Sequence, residues 1–493
     1  MIASRLTRRH SRTALRIFVI VGAFAIPASG QNRRVAADCS AVINTKDAAR
    51  CIGSVHPNVP IPAIDPKHIY ALPELIDMAE MASPEGRIAW ANAKRALEQA
   101  GIDRALYLPI LTFVAQGSDD RVIVPFTAPI APRGYVTVEQ PIATEQMQLE
   151  YDLLDFGRGA KLDGSKALEI ASVLRLGRVH QTLAYSTATE FYGTQRAIGE
   201  LAAAKVILQT AETLLENAQL QYDNGRATLP DLQNAQAGAA EAQFNLAAAD
   251  GEAKKSKLAL SETIGVEPTA EIEITPQSEK DLPGAFNDSV EDLIRNAWKM
   301  RPDLLARAQE LRQAHDSYKI ARAAYLPKAS LSGSGGQTNT WPTSDYAILG
   351  PASLPTWSVE ANLRWEVFNG ARKHELAAAL AEQKATSEEQ RATEDSVTRQ
   401  VWEAYVDYQT AVEQQRSSQS FLAAAQMSYD SSLDAFKFGV RSLVDVVEAE
   451  RQLAQARVTV VRSQAHLMQS AVALTYATGS LLQSGTTMPG VHP

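Results

Sequence analysis

The chain has 493 residues, enough for a large core and more than one structural region. Its net charge of −8, with both signs interspersed, excludes the basic stripe that a nucleic-acid-binding surface needs. Aromatics at 6% and recurring Ala, Gln, Leu and Glu favour long helices over a compact enzyme fold.

The first element is a leader. Arg5, Arg8, Arg9, Arg12 and Arg16 make a basic start, and Ile17–Ile26 is an apolar run of ten residues. Small Ala28, Ser29 and Gly30 follow and suit cleavage before Gln31. Ten residues are too few to span a bilayer, so the segment reads as a secretory signal peptide over 1–30. No later stretch approaches twenty apolar residues, so any later membrane crossing has to be a β-barrel.

An extension over 31–68 carries both cysteines, Cys39 and Cys51. Export leads to an oxidising compartment, which favours a local disulfide between them. Two free thiols and a lipid-modified Cys39 are the alternatives. The preceding Val35-Ala36-Ala37-Asp38 lacks the small residue expected beside a lipidated cysteine.

From there the chain contains itself twice. The segment from Ser83 matches the segment from Arg301: Pro84 aligns with Pro302, and Tyr107-Leu108-Pro109 with Tyr325-Leu326-Pro327. Later, Leu153–Arg158 (LLDFGR) aligns with Val367–Arg372 (VFNGAR). YDNGRATLPDLQNAQ (222–236) aligns with FKFGVRSLVDVVEAE (436–450), pairing Gly225 with Gly439 and Asp231 with Asp445. Gly265 and Gly479 close the two halves. The predicted boundaries are 69–286 for the first repeat, 287–482 for the second and 483–493 for a flexible tail.

Each half predicts the same elements. A helix of about 35 residues leads into Tyr-Leu-Pro, two strands follow, a helix of about 60 residues runs to a Gly turn, and one of about 37 returns. The long helix near 159–221 would extend roughly 90 Å at its usual rise. Its partner near 228–264 and the helix near 289–324 would each cover about 55 Å, so two short helices end to end match one long one. Gly265–Phe286, rich in Pro and acidic residues, reads as a belt with a short strand inside. Small residues along the helices permit close packing into coiled-coil hairpins.

The strands alternate. Met147, Leu149, Tyr151 and Leu153 interleave with Gln146, Gln148, Glu150 and Asp152. Trp357, Val359, Ala361, Leu363, Trp365 and Val367 interleave with Ser358, Glu360, Asn362, Arg364 and Glu366. One apolar face and one polar face suit a barrel with lipid outside and water within. Four strands cannot close such a barrel, so several chains would have to share one.

The signal peptide, the duplicated halves, Tyr-Leu-Pro before a strand, FNGARK (368–373) and FGVRSLVDVVEAERQLAQA (438–456) together resemble the TolC-like outer-membrane channel family over about residues 65–482. The resemblance implies an α+β, mainly α fold. Long coiled-coil hairpins would form a periplasmic α-barrel, and four strands per chain would join a trimeric twelve-strand barrel. The function it implies is a passive outer-membrane exit duct in efflux or type I secretion. The implied partners are two further copies, a periplasmic adaptor, an inner-membrane transporter and outer-membrane lipid, with no nucleic acid and no cofactor.

Site residues follow from the same resemblance. Gly225, Arg226, Gly439, Val440 and Leu443 match hairpin tips that meet the adaptor. Asp231 and Arg441 match a clasp that holds the periplasmic entrance shut. Phe436 stands where the clasp often has Tyr, without the hydroxyl. Asp445 and Glu448 match an acidic ring at the narrowest point. The eight histidines are scattered without a zinc spacing, and His180 and His466 read as surface residues. Three rival readings remain: a periplasmic coiled-coil adaptor, a structural coiled-coil protein and an exported hydrolase. Two hairpins count against the first, alternating strands against the second, and the missing catalytic constellation against the third.

Overall fold

The structure, a computed structural model, describes residues 42, 44–54, 64–129, 131–276, 282–283, 288–345 and 350–482. The leader, Cys39 and the tail beyond residue 482 lie outside the described residues.

A short helix α1 (Thr45–Ser54) comes first. Asn44 starts it, its side-chain oxygen accepting from the N–H groups of Lys46 and Asp47 at 3.0 Å each. Then come β1 (Ile69–Tyr70), α2 (Leu72–Ala82), α3 (Pro84–Ala105), β2 (Ile110–Pro125), β3 (Tyr135–Leu154), α4 (Arg158–Asp223), α5 (Leu229–Thr263) and β4 (Glu273–Ile274). The second half follows with α6 (Val290–Met300), α7 (Pro302–Ala323), β5 (Lys328–Thr340), β6 (Thr343–Ser344), β7 (Ala352–Arg364), α8 (Ala371–Lys437) and α9 (Leu443–Thr478).

The helix expected before each Tyr-Leu-Pro is broken in two, at Pro84 and at Pro302. Proline offers no N–H and forces the preceding residue out of the helical region. Ser83 (φ −63°, ψ 122°) and Arg301 (φ −72°, ψ 118°) are both extended accordingly. Ser83 also accepts a hydrogen bond from the Gly86 N–H at 3.2 Å.

Four helices end in the same way. Gly225, Gly265, Gly439 and Gly479 follow α4, α5, α8 and α9 with φ of 68°, 71°, 73° and 80°. The next N–H reaches back to a carbonyl five residues earlier: Arg226 to Gln221 and Val440 to Ala435 at 2.8 Å, Val266 to Ser261 and Ser480 to Thr475 at 3.0 Å. A left-handed glycine with this bond satisfies carbonyls the helix end would leave orphaned.

α4, at 66 residues, is about 100 Å long. It packs on α3 and α7 near its start and on α5 and α9 further along. α8 packs on α7 and α9. β1 and β4 form a small parallel pair, which places the strand expected within the belt beside Tyr70.

The larger sheet runs β2-β3-β5-β7, antiparallel throughout, with β6 also on β3. Its register puts Leu111 opposite Leu149, Phe113 opposite Met147, and Gly335 between Met147 and Trp357. The other face carries Gln146, Gln148 and Glu150 beside Ser332, Ser334, Ser358 and Glu360. β7 ends at Arg364, earlier than the alternation suggested. Trp365 instead donates its indole N–H to the Tyr325 carbonyl at 3.1 Å, and Glu366 accepts from Arg372 at 2.8 Å.

A cluster of Val42, Ala48, Cys51, Ile52, Ala93, Ile170 and Val173 docks α1 on α3 and α4. Glu169 is 1% exposed beside it. Burial pushes its carboxyl up to about 7, against the pull of Arg104 and Lys166. An unfolded glutamate titrates near 4.3, so the folded state gives up stability as pH rises from there towards 7. Glu169→Gln should therefore raise the melting temperature at pH 8 and change it little at pH 4. Equal shifts at the two pH values would contradict this assignment.

Candidate functional site

The two hairpin tips repeat a cap as well as a turn. Thr228 precedes α5, and its hydroxyl and N–H donate to Asp231 Oδ2 at 2.6 and 2.9 Å. Ser442 precedes α9, and its hydroxyl and N–H donate to Asp445 Oδ2 at 2.8 and 3.1 Å. Each aspartate N–H returns a bond to the hydroxyl at 3.4 Å. These are capping boxes with Asp in the third helical position. They account for the carboxylate kept in register in both halves. The hydrogen bonds from Thr228 hold Asp231 below the usual carboxylate range. Those from Ser442, with the Arg441 charge behind them, do the same for Asp445. The Thr-x-x-Asp and Ser-x-x-Asp spacings carry this signal in the sequence.

Beneath the turns lies one apolar cluster. Leu214 and Ala218 of α4, Leu232 and Ala235 of α5, and Leu443, Val446 and Val447 of α9 are buried together, with Phe436 of α8 packed against them. Leu443 is only 4% exposed, so its assignment to a docking surface needs correction. It anchors the tip from below. Val440 is 78% exposed, and Phe438 and Val444 stand out beside it. Gly225, Arg226 and Gly439 are also at the surface.

Asp231 and Arg441 are not brought together within one chain. Arg441 donates to the Ser432 hydroxyl of its own hairpin at 3.2 Å. Asp445 and Glu448 are both exposed on α9. Higher up, the hairpins are tied by Arg462–Glu200 at 2.8 Å and Arg451–Glu241 at 3.4 Å. Cys51 is buried under α3, while Cys39 lies outside the described residues.

The repeated motifs at the sheet have a shared task. Arg158 stacks over Tyr107 at 4.4 Å and donates to the carbonyls of Leu106 and Asp152 at 3.1 and 2.8 Å. Arg372 takes the same place over Tyr325 at 5.7 Å and donates to the Glu366 carbonyl at 2.5 Å. Each Tyr-Leu-Pro thus meets the arginine that begins the long helix, fixing where sheet gives way to helix. Lys328 bonds Asp155 at 3.0 Å and joins the two halves at this level.

A buried polar network lies where α6 and α7 meet the end of α9. Arg301, 3% exposed, donates to Asp303 at 2.5 and 3.0 Å, to Gln400 Oε1 at 2.8 Å and to the Ala477 carbonyl at 3.3 Å. Arg178 lies over the Tyr476 ring at 3.8 Å and donates to the Tyr476 carbonyl at 3.1 Å. Gln181 donates to the Gly479 carbonyl at 2.9 Å. Cations and donors thus meet the electronegative end of α9. His180, expected at the surface, is half-buried in α4 with its Nδ1 3.4 Å from Glu80 of α2. Packing of α2 on α4 covers it. His466 is exposed.

No described helix is long and apolar enough to cross a membrane. The outer membrane efflux protein family matches residues 75–266 and 293–480, one segment in each half. The chain belongs to that family. Protein CyaE of Bordetella pertussis is 28% identical over 403 residues, covering 78% of this chain and 79% of CyaE. Cation efflux system protein CusC of Escherichia coli is 23% identical over 321 residues, covering 64% of this chain and 67% of CusC. The solved outer membrane protein VceC of Vibrio cholerae superposes with a TM-score of 0.68 at 20% identity, covering 83% of this chain and 96% of VceC. Membership makes this an outer-membrane component of efflux. It also accounts for a mainly helical chain that carries one four-strand antiparallel path.

Proposed function

We propose that three copies form a passive exit duct, closing a twelve-strand barrel in the outer membrane and a helical tunnel below it in the periplasm. One observation carries this reading. Among the described residues, β2 and β7 each pair on one side only, and the sheet between them has an apolar face. Trp357 on that face is 79% exposed. Open edges in lipid would leave amides unpaired, and pairing β7 of one copy with β2 of the next removes every edge. Trp357→Asp or Leu149→Asp should cut insertion sharply, because a charge on the lipid face costs a few kcal/mol. Ser358→Asp should insert normally. Equal defects in outer-membrane trimer yield on both faces would refute the barrel.

The tips are the proposed docking surface for a periplasmic adaptor, through Gly225, Arg226, Gly439 and Val440, with Leu443 as support. An inner-membrane transporter would complete the assembly and choose the cargo. Asp231 of one copy and Arg441 of a neighbour are the proposed clasp, with Phe436 packed beneath it, and Asp445 and Glu448 the acidic ring. The Cys39–Cys51 bond, the leader over 1–30 and the repeat boundaries at 69–286 and 287–482 complete the proposal.

Because Asp231 also caps α5, the clasp needs a control. Asp231→Ala and Arg441→Ala should each raise single-channel conductance, and the pair should be less than additive. Thr228→Ala, which removes the cap and keeps the carboxylate, should leave conductance near its starting value. If it opens the channel equally, the cap holds the entrance and there is no clasp. Multivalent cations should block from the periplasmic side, and Asp445→Asn with Glu448→Gln should abolish that block.

A further inference from the structure

A groove runs between α5 and α9, above the tips, with α4 packed on both and forming its floor. It encloses about 740 Å³, a size that suits a small organic ligand. From Gly238 to Glu252 it follows α5 for about 21 Å at the usual rise. Two kinds of side chain line it. Ala204, Ile207, Ala242, Ala454 and Val458 give a smooth apolar wall. The charged groups are Glu200, Glu241, Glu252 and Glu450 against Arg451 and Arg462, an excess of two carboxylates.

The arginines face other carboxylates. Arg462 holds Glu200 at 2.8 Å, and Arg451 holds Glu241 at 3.4 Å. Arg457, further along α9, donates to Gln426 of α8 at 3.4 Å. Glu252 is exposed, so water can serve it. Glu450 is different. It is 8% exposed, and among the described residues no hydrogen-bond donor and no cation within ion-pair distance meets its carboxylate. Burial pushes its pKa up, against the pull of Arg451 and Arg457, and Glu241 adds to the rise. A charge held this deep costs free energy until a partner neutralises it. The first half has neutral Gln236 at the equivalent position, so the helix itself does not require a charge there.

We infer that this groove binds an amphipathic organic amine, with Glu450 as the counter-ion of the ammonium and the alanine-lined wall against the apolar body. The ammonium brings the charge that Glu450 lacks, and the small side chains let the body lie close to the helices. A metal ion fits less well, since among the described residues no three carboxylate, cysteine or histidine groups are placed to hold one. Helices of one chain enclose the groove, so the inference does not rest on the exit-duct reading, and its failure would leave that reading untouched.

The test is a fluorescence titration of the detergent-solubilised protein at pH 8, with protein-free micelles as the blank. Dansylcadaverine supplies a primary ammonium on an aromatic body, and dansylamide supplies the same body without the amine. The parent protein should bind dansylcadaverine saturably and at least tenfold more tightly than dansylamide. Glu450→Gln keeps the shape and removes the charge. It should weaken dansylcadaverine at least tenfold, leave dansylamide unchanged, and melt no lower than the parent. Ala454→Phe fills the groove without touching the charge, and should weaken both probes. Binding of dansylcadaverine should survive Asp445→Asn with Glu448→Gln, which separates the groove from the acidic ring. Equal affinity for the two probes, an unchanged dansylcadaverine affinity in Glu450→Gln, or indifference of both probes to Ale454→Phe overturns the site. Loss of binding in the acidic-ring variant overturns it too, by placing the amine at the aperture.

Discussion

Gly336→Ala should abolish assembly of the sheet, while Gly335→Ala, one residue away, should leave it intact. A Cβ on Gly336 would lie 2.0 Å from the Glu145 carbonyl oxygen and 2.5 Å from the Gln146 Cα. Both are backbone atoms of β3, so no side chain can swing aside to make room. β3 and β5 would have to part where Gln146 faces Gly336. That seam carries the direct pairing between the first hairpin and β5 of the second half. Overpacking typically costs about 1–3 kcal/mol when side chains can adjust, and a clash with backbone exceeds that range. A Cβ on Gly335 meets nothing within 4 Å. The measurement is the yield of folded protein recovered from the outer membrane for the two variants at equal expression. Comparable yields would show that β3 and β5 can shift apart at Gly336 without loss.

These two glycines mark the boundary of what the sequence discloses. Alternation in 146–153 and from Trp357 onward is enough to give strands and faces, because a pleated strand shows every second residue to one side. The long helices and the Gly turns are legible for a similar reason, since the duplication prints each signal twice. What Gly336 touches is not legible, because it depends on how closely two strands approach across the sheet. The broken helices were within reach, as Pro84 and Pro302 each follow a residue that proline holds extended. The capping boxes were also within reach at Thr228–Asp231 and Ser442–Asp445. Leu443 misled because sequence similarity locates a tip without saying which of its side chains point inward. α1 was missed because the extension has no second copy to compare with. Glu169 and the Arg301 network depend on contacts between distant parts of the chain, and local pattern carries no trace of those.

Arg301→Ala should be among the most destabilising single substitutions in the helical part of the molecule. The guanidinium reaches Asp303, Gln400 and the Ala477 carbonyl from a site that is 3% exposed. Gly479 lets it in, since a Cβ there would stand 3.0 Å from Arg301 Cγ. Truncating Arg301 leaves Asp303 with Arg178 at 3.6 Å as its remaining cation and leaves the end of α9 with an unmet carbonyl. Removing one member of a buried pair costs about 3–5 kcal/mol, and the 31% exposure of the Asp303 side chain places this loss at the low end of that range. Burial alone would raise the Asp303 pKa. The hydrogen bond from Arg301 and the charges of Arg178 and Arg301 outweigh it and hold the carboxyl below its usual range. A lowered folded pKa means the contribution of Asp303 is fully present above the unfolded value near 3.9, and is lost as pH falls through the folded one. Denaturant titration of the detergent-solubilised protein at pH 7 should show the full loss in Arg301→Ala. A similar loss should appear in Asp303→Ala, and much less than their sum in the double variant, since both remove one contact. Additive losses would mean that each side chain acts through separate partners. In that case the helix end would be held by Arg178 and Gln181, with Arg301 serving only to fill the break before Pro302.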